Sequence, residues 1–452
     1  MSSMNAAVPV QGPSVPSKKL WPLVILGALT LLGLANSLPV ASLGAAPLPI
    51  NGADTAWLLT ATALVLLMTP GLAFFYGGMI SRQHVTSLIF QSFMAMGVVS
   101  LIWVVLGFSL AFGSSVLGLI GDPRSFFMLQ NVGFGAEAAL SPTVPLALFA
   151  LFQMKFAIIT PALVTGSFGE RIKFSSLILF MVLFTIFVYA PLAHWTWHPE
   201  GILRRWGVLD FAGGTVVHMA AGFAGLAGAI MVPGKRGEHS AHVPANIPLV
   251  LIGTGLLWFG WFGFNAGSAL AADGNAVLAF MTTNTAAAAA MVAWFLIDAM
   301  MGRPASALNA AIGGVVGLVA VTPAAGFVTV GASVAIGIIA SFVSNVLVNS
   351  RWLKTRLADT LDVFACHGAG GLVGMVCTAV FATKGGLITG ETTLLLKHLA
   401  ALVLVAAYSF AMSVVLFKVL SLVSSLTHEG SVPESESCAS VSGGGKLAAT
   451  PA

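Results

Sequence analysis

Apolar runs long enough to cross a membrane recur from Thr55 onward, and they constrain the fold of this chain more than any single motif. Crossing a hydrocarbon core of ~30 Å takes ~20 helical residues. By that measure the sequence predicts about eleven spans: 55–80, 87–113, 143–168, 174–194, 210–231, 247–270, 276–300, 306–326, 330–349, 360–383 and 394–424. With 58% hydrophobic residues, 8% charged residues and a mean hydropathy of +0.97, the chain lies outside the range of soluble globular proteins. Its fifty glycines suit close helix contacts in lipid, where small residues let backbones approach. The expected fold class is an all-α polytopic membrane protein.

Net charge of +4 does not point to nucleic acid, because topology sorts the positive residues. With the first span starting outside, inner loops carry Arg82, Arg171, Lys173, Lys235, Arg236, Arg303, Arg351, Lys354, Arg356 and Lys418. Outer loops and edges carry only Arg124, Arg204, Arg205, Lys384 and Lys397. The positive-inside rule then puts the C-terminus in the cytoplasm of a multi-pass protein of the cell (inner) membrane. Three cysteines, Cys366, Cys377 and Cys438, make no disulfide framework.

Lys18 and Lys19 precede an apolar run from Leu20 to Leu34, and small residues follow around Ala41–Ala45. Residues 1–45 thus have the layout of a secretory signal, with an uncleaved extra helix as the alternative. The membrane domain is read as 46–426. Residues 427–452 form a Ser/Gly-rich polar tail without apolar periodicity, expected to be disordered.

An internal repeat runs through the spans. Thr160-Pro161-Ala162 in the third is matched by Thr322-Pro323-Ala324 in the eighth. Leu209-Asp210 leads to His218 in the fifth, and Leu361-Asp362 leads to His367 in the tenth. Five helices per copy is odd, so the second copy is inverted, as in many transporters. Repeat one covers about 55–231, repeat two about 247–383, and a last helix about 394–424, with the pore expected at the repeat interface.

Two of the nine histidines, His218 and His367, lie at membrane depth, where ionisable groups are costly and mark function. From Asp210 to His218 is a rise of roughly 12 Å, and from Asp362 to His367 roughly 7.5 Å, at ~1.5 Å per residue. Entering from opposite faces, the two imidazoles can meet near the midplane and share a proton. An interhelical hydrogen bond for each ring, or axial ligation of a haem iron, are the alternatives. Asp210 and Asp362 are expected to cap helix starts and oppose the dipole.

Aromatic residues crowd one region. Phe152 and Phe156 share a face of the third span. Trp258, Trp261, Phe262 and Phe264 precede Asn265-Ala266-Gly267-Ser268, and Trp197 lies just beyond the fourth span. An interfacial belt is one reading. The other is a cage for a small cation, whose charge ring faces attract and whose hydrogen a serine oxygen accepts.

The runs Phe74-Phe75-Tyr76-Gly77-Gly78, Gly169-Glu170-Arg171-Ile172-Lys173-Phe174, Asp210 through His218, Gly260 through Ser268, and Asp362 through Gly368 resemble the ammonium transporter family. The likeness covers about residues 55–425. It implies a homotrimer, one pore per subunit, ammonium or methylammonium as substrate, and no cofactor, metal or enzymatic activity. Phe156, Trp197 and Ser268 resemble the outer recruitment site. Phe156 and Phe264 resemble the stacked gate, with Phe152 nearby. His218 and His367 resemble the twin histidines of the pore, Trp261 and Val363 its wall, and Asp210 the buried carboxylate near the outer site. The implied mechanism is recruitment, deprotonation, passage of ammonia and separate proton transfer.

Two features depart from the family. Lys155 sits beside gate residue Phe156 and is expected to snorkel or pair. The tail lacks the Glu-Gly-Leu-Asp and His-Gly pattern with which a PII-type signal protein partner is associated. Two other functions fit parts of the sequence: an ammonium sensor with little transport, and an intramembrane serine protease using Ser333 of Gly331-Ala332-Ser333 with His367.

Overall fold

The computed structural model describes residues 21–35, 48–234, 243–304 and 306–427. The first 42 residues form one unit, of which the helix Trp21–Ala35 is described. Lys18, Lys19, the small residues at 41–45 and the tail beyond Thr427 lie outside the described residues. All that follows concerns the unit from Leu43 onward.

Ten described helices are long and apolar enough to cross a membrane; nine lie within five residues of the predicted bounds, and the fourth runs on to Trp206. They are Gly52–Met79, Arg82–Phe112, Leu146–Phe168, Phe174–Trp206, Gly214–Met231, Ile247–Gly267, Gly274–Met300, Val330–Val348, Phe364–Phe381 and Thr393–Val423. The eighth expected span, 306–326, is helical only over the 15 residues Ala307–Val321. A turn at Thr322–Phe327 ends it at Pro323, whereas Pro161 lies inside a continuous helix. Between the second and third spans the chain forms one 3₁₀ turn, Phe127–Leu129, and two short antiparallel pairings, Ser115–Val116 with Ile120–Gly121 and Ala136–Glu137 with Ser141–Pro145.

Helix starts carry their own punctuation. The Asn51 side chain accepts from Ala53 and Asp54 amides, Asn246 from Leu249, Asp273 from Asn275 and Ala276, Ser306 from Asn309 and Thr329 from Ala332. Each cap satisfies amides that have no partner within the helix. Asp54, buried one turn into its span, accepts instead from Ala272 N at 2.8 Å and ties the first span to the loop after the sixth.

The fifth and tenth spans differ most from expectation. Each begins several residues late and opens with a π-helical turn, Gly214–Met219 and Phe364–Gly368, and each turn contains one of the two histidines. The wide turn is typical of functional positions within helices. The two short helices cross with almost no separation. A Cβ on Gly222, four residues after His218, would collide with the backbone of Gly368, one residue after His367. A Cβ on Gly371, four residues after His367, would press on Met219, one residue after His218. The contact is therefore reciprocal, and glycine at both positions is what permits it.

Gly222→Val should cost ~1–3 kcal/mol through overpacking at this crossing. Gly255, with open space where a side chain would go, is the control. A lowered thermal unfolding midpoint in detergent for Gly222→Val, against an unchanged one for Gly255→Val, is the expected result.

Candidate functional site

Two buried carboxylates build the short helices that carry the histidines. Asp210 Oδ1 accepts from the amides of Gly213 at 2.8 Å and Gly214 at 2.7 Å. Its Oδ2 accepts from Thr215 N at 2.7 Å and from the Thr215 hydroxyl at 2.5 Å. The turn requires glycine at 213, whose φ is 118°. In the other half, Asp359 and not Asp362 holds the cap, accepting from Val363 N at 3.1 Å and Phe364 N at 2.8 Å. Asp362 has a φ of 55° in the turn itself and makes no capping bond among the described residues. The sequence did hold the signal: Asp210 and Asp359 each precede their histidine by eight residues. The Leu-Asp pairing drew attention to the wrong aspartate.

The loop after the third span secures this second cap. Arg171 donates to Ser167 O at 3.0 Å and Ala358 O at 2.6 Å, and Thr360 donates to Glu170 Oε1 at 3.0 Å. Thr360 N and Leu361 N bond to Ser167 O and Gly166 O at 3.1 and 3.0 Å. Burial pulls the Arg171 guanidinium down from its usual range, while Glu170 and Asp359 act to raise it.

Between the caps the imidazoles meet as expected, with His218 Nδ1 and His367 Nδ1 3.3 Å apart. Their rings lie nearly parallel at 22°, with centroids 5.5 Å apart, and Trp261 stacks on the other side of His218 at 5.4 Å. Both rings border a cavity of about 10 Å³, room for one water-sized molecule. Leu72, Ile159, Leu163, Val217, Leu257 and Val315 supply most of the remaining wall. Val363 does not line it; its methyls pack where Gly166 and Gly225 leave space.

From this cavity a ladder of rings leads to a larger vestibule. Phe264 lies 6.1 Å from His218, and Phe156 stacks on Phe264 at 4.1 Å and 29°. Trp197 stands edge-on to Phe156 at 5.8 Å, and Phe152 does so from behind at 4.9 Å. Phe156 and Phe264 are buried and in contact with each other. The vestibule of about 540 Å³ is bordered by Trp197, Ser268, Asp210, Phe149 and Gln153 among others. Trp197 Nε1 donates to Asp210 O at 3.2 Å, which fixes the indole. The Ser268 hydroxyl donates to Phe264 O at 2.8 Å, leaving its lone pairs to accept from something else. Gln153 is a vestibule residue that the sequence reading missed; its buried Oε1 has no hydrogen-bond partner among the described residues.

Lys155 is buried, its one described polar contact is Met154 Sδ at 3.7 Å, and of the two expectations, snorkelling or pairing, no ion pair is formed among the described residues. Ser333 donates to Val330 O at 2.7 Å, and the described bonds of His367 run to His218 instead of a serine. Ser333 and His367 are therefore not paired as nucleophile and base.

Ten long apolar helices packed around a small apolar cavity and a wider, aromatic-lined vestibule define a multi-pass membrane protein. Residues 56–434 match the model of the Ammonium Transporter Family, and the chain belongs to that family. It is 43% identical over 378 residues to the ammonium transporter of Bacillus subtilis, covering 82% of this chain and 92% of that one. It is 42% identical over 375 residues to ammonium transporter Amt1 of Archaeoglobus fulgidus, with the same coverage. The crystal structure of Saccharomyces cerevisiae Mep2 superposes with a TM-score of 0.79 at 34% identity, covering 84% of this chain and 88% of Mep2. A solved sensor Amt protein superposes with a TM-score of 0.77 at 30% identity, covering 85% and 96%.

Asp359→Ala strands two buried amides, each costing ~1–3 kcal/mol, whereas Asp362→Ala strands none. Urea or thermal unfolding of the detergent-solubilised variants should rank Asp359→Ala well below Asp362→Ala. Equal stability would show that the capping geometry contributes little.

Proposed function

We propose that this chain transports ammonium by binding the cation in the vestibule, removing its proton and passing ammonia along the histidine-lined cavity. The observation that carries the reading is the ladder from Trp197 through Phe156 and Phe264 to His218 and His367. Trp197 and Phe156 offer ring faces and Ser268 an oxygen acceptor, a set suited to a small cation with hydrogens. Phe156, Phe264 and Phe152 form the gate. Beyond it an unpaired ion would cost on the order of tens of kcal/mol by Born arithmetic, which neutral ammonia avoids. Potassium has no proton to give up and is rejected. His218 and His367 then carry the proton separately, Trp261 holds His218 from its far side, and Asp210 holds the half-helix while sharing its carbonyl with Trp197.

The same proposal extends to architecture. Residues 46–426 form the membrane domain, 55–231 and 247–383 its inverted repeats, and 394–424 the last helix. The reciprocal glycine crossing and the matched eight-residue spacing from aspartate to histidine support that division. Positive-inside sorting puts the vestibule outside and the C-terminus in the cytoplasm of the cell membrane. Three copies assemble, and an apolar groove of about 810 Å³ between the seventh and ninth spans, bordered by Val292, Ile338 and Phe342, supplies surface for such contact. The N-terminal segment is a signal that is removed. A PII-type signal protein stays outside the proposal, since the tail lacks the pattern that such a partner reads.

Flux and current from purified protein in vesicles test the core of this reading. Trp197→Leu and Ser268→Ala should each weaken ammonium capture, the first by the ~1–2 kcal/mol of a cation–π contact, with the deficit fading at saturation. Unchanged half-saturation in both would remove the recruitment role. His218→Ala or His367→Ala should abolish ammonium-driven current, and wild-type current in both would leave the rings only a packing role. The similarity to a sensor Amt protein favours, as second reading, a sensor with little transport; labelled methylammonium uptake near background would decide for it.

A further inference from the structure

The two histidines are related by the repeat, yet their surroundings are not equivalent, and the difference lies in Thr322. Its hydroxyl has one hydrogen and two lone pairs. The hydrogen goes to Leu318 O at 2.8 Å, the ordinary bond of a helical threonine. One lone pair takes the indole N–H of Trp261 at 2.9 Å, and an indole nitrogen can only donate. The remaining lone pair faces His218 Nε2 at 3.3 Å, so His218 must be the donor there.

A neutral imidazole carries one ring proton, and this bond places it on Nε2 of His218. Its Nδ1 is then bare and acts as acceptor in the 3.3 Å contact with His367 Nδ1. His367 therefore carries its proton on Nδ1 and keeps a bare Nε2. Thr160, the counterpart of Thr322 in the first repeat, donates to Phe156 O at 2.7 Å and has no described bond to either histidine.

Resting on the twin-histidine reading of the site, we propose that Thr322 is a positioning residue that sets the tautomers of the pair. Hydrogen on Nε2 of His218 and on Nδ1 of His367 leaves His367 Nε2 as the pair's free lone pair. A proton, or an N–H of a passing solute, is accepted at His367 and not at His218. The opposite arrangement, with hydrogen on Nδ1 of His218 and a bare Nε2, requires the Thr322 hydroxyl to rotate from Leu318 O and donate to that Nε2. Thr322 thereby gives a nearly symmetric pair a direction.

Solid-state 15N spectra of ring-labelled histidine in the full-length protein, in bilayers at mildly alkaline pH, test this directly. Assignment comes from loss of signals in His218→Asn and His367→Asn. The wild type should show bare Nδ1 at His218 and bare Nε2 at His367, in excess over the opposite tautomers by about tenfold, the ratio that one net hydrogen bond supports. Thr322→Val, which keeps the shape and removes the hydroxyl, should bring the two forms to within about twofold, and Thr322→Ser should restore the excess. The opposite assignment in the wild type, or an unchanged excess in Thr322→Val, would overturn the proposal. The spectra do not depend on flux, so a failure of the transport reading registers separately, in the currents of the histidine variants.

Discussion

The contact between His218 Nδ1 and His367 Nδ1 is the constraint on which the rest of this structure depends. For two rings from different halves of a membrane bundle to come within hydrogen-bond distance, their helices must cross almost backbone on backbone. Gly222 against Gly368 and Gly371 against Met219 provide that closeness. The helices must also start at membrane depth, which exposes unsatisfied amides where no water can reach them. Asp210 and Asp359 take up those amides. The glycines and the two aspartates thus serve one geometric end.

Energy dictates the division between vestibule and cavity. Polar atoms of Ser268, Asp210 and Gln153 gather in the vestibule, and none of them borders the histidine cavity. The stacked, buried rings of Phe156 and Phe264 border or adjoin both zones. Under the proposed function, each level would meet a species suited to it: ring faces and a hydroxyl a cation, imidazoles and alkyl groups a small uncharged solute.

Support for the site reaches far along the chain. Arg171 and Glu170, in the loop after the third span, hold Ala358 and Thr360, which precede the second histidine by nine and seven residues. The loop after the third span therefore stabilises the start of the tenth. The Thr322–Trp261–His218 arrangement does the converse, placing residues from later in the chain around the first histidine.

Much of this was legible in the sequence, because hydropathy and spacing are local properties. Apolar runs marked out the order of the long helices, and the membrane-depth histidines with their aromatic neighbours pointed to a candidate site whose rings do meet in the structure. Other features depended on distances between residues far apart in the chain. The role of Asp359 over Asp362 rests on which backbone amides the turn at φ 55° presents. The shortness of the eighth helix rests on a turn whose carbonyl, that of Pro323, receives Phe211 N at 3.1 Å. Val363 is absent from the lining of the histidine cavity, its methyls lying where Gly166 and Gly225 leave space. Composition determined that the chain crosses a membrane and which groups cannot be there by chance; tertiary packing decided which of them touch, because a hydrogen bond is made or lost within a fraction of an ångström that no sequence pattern encodes.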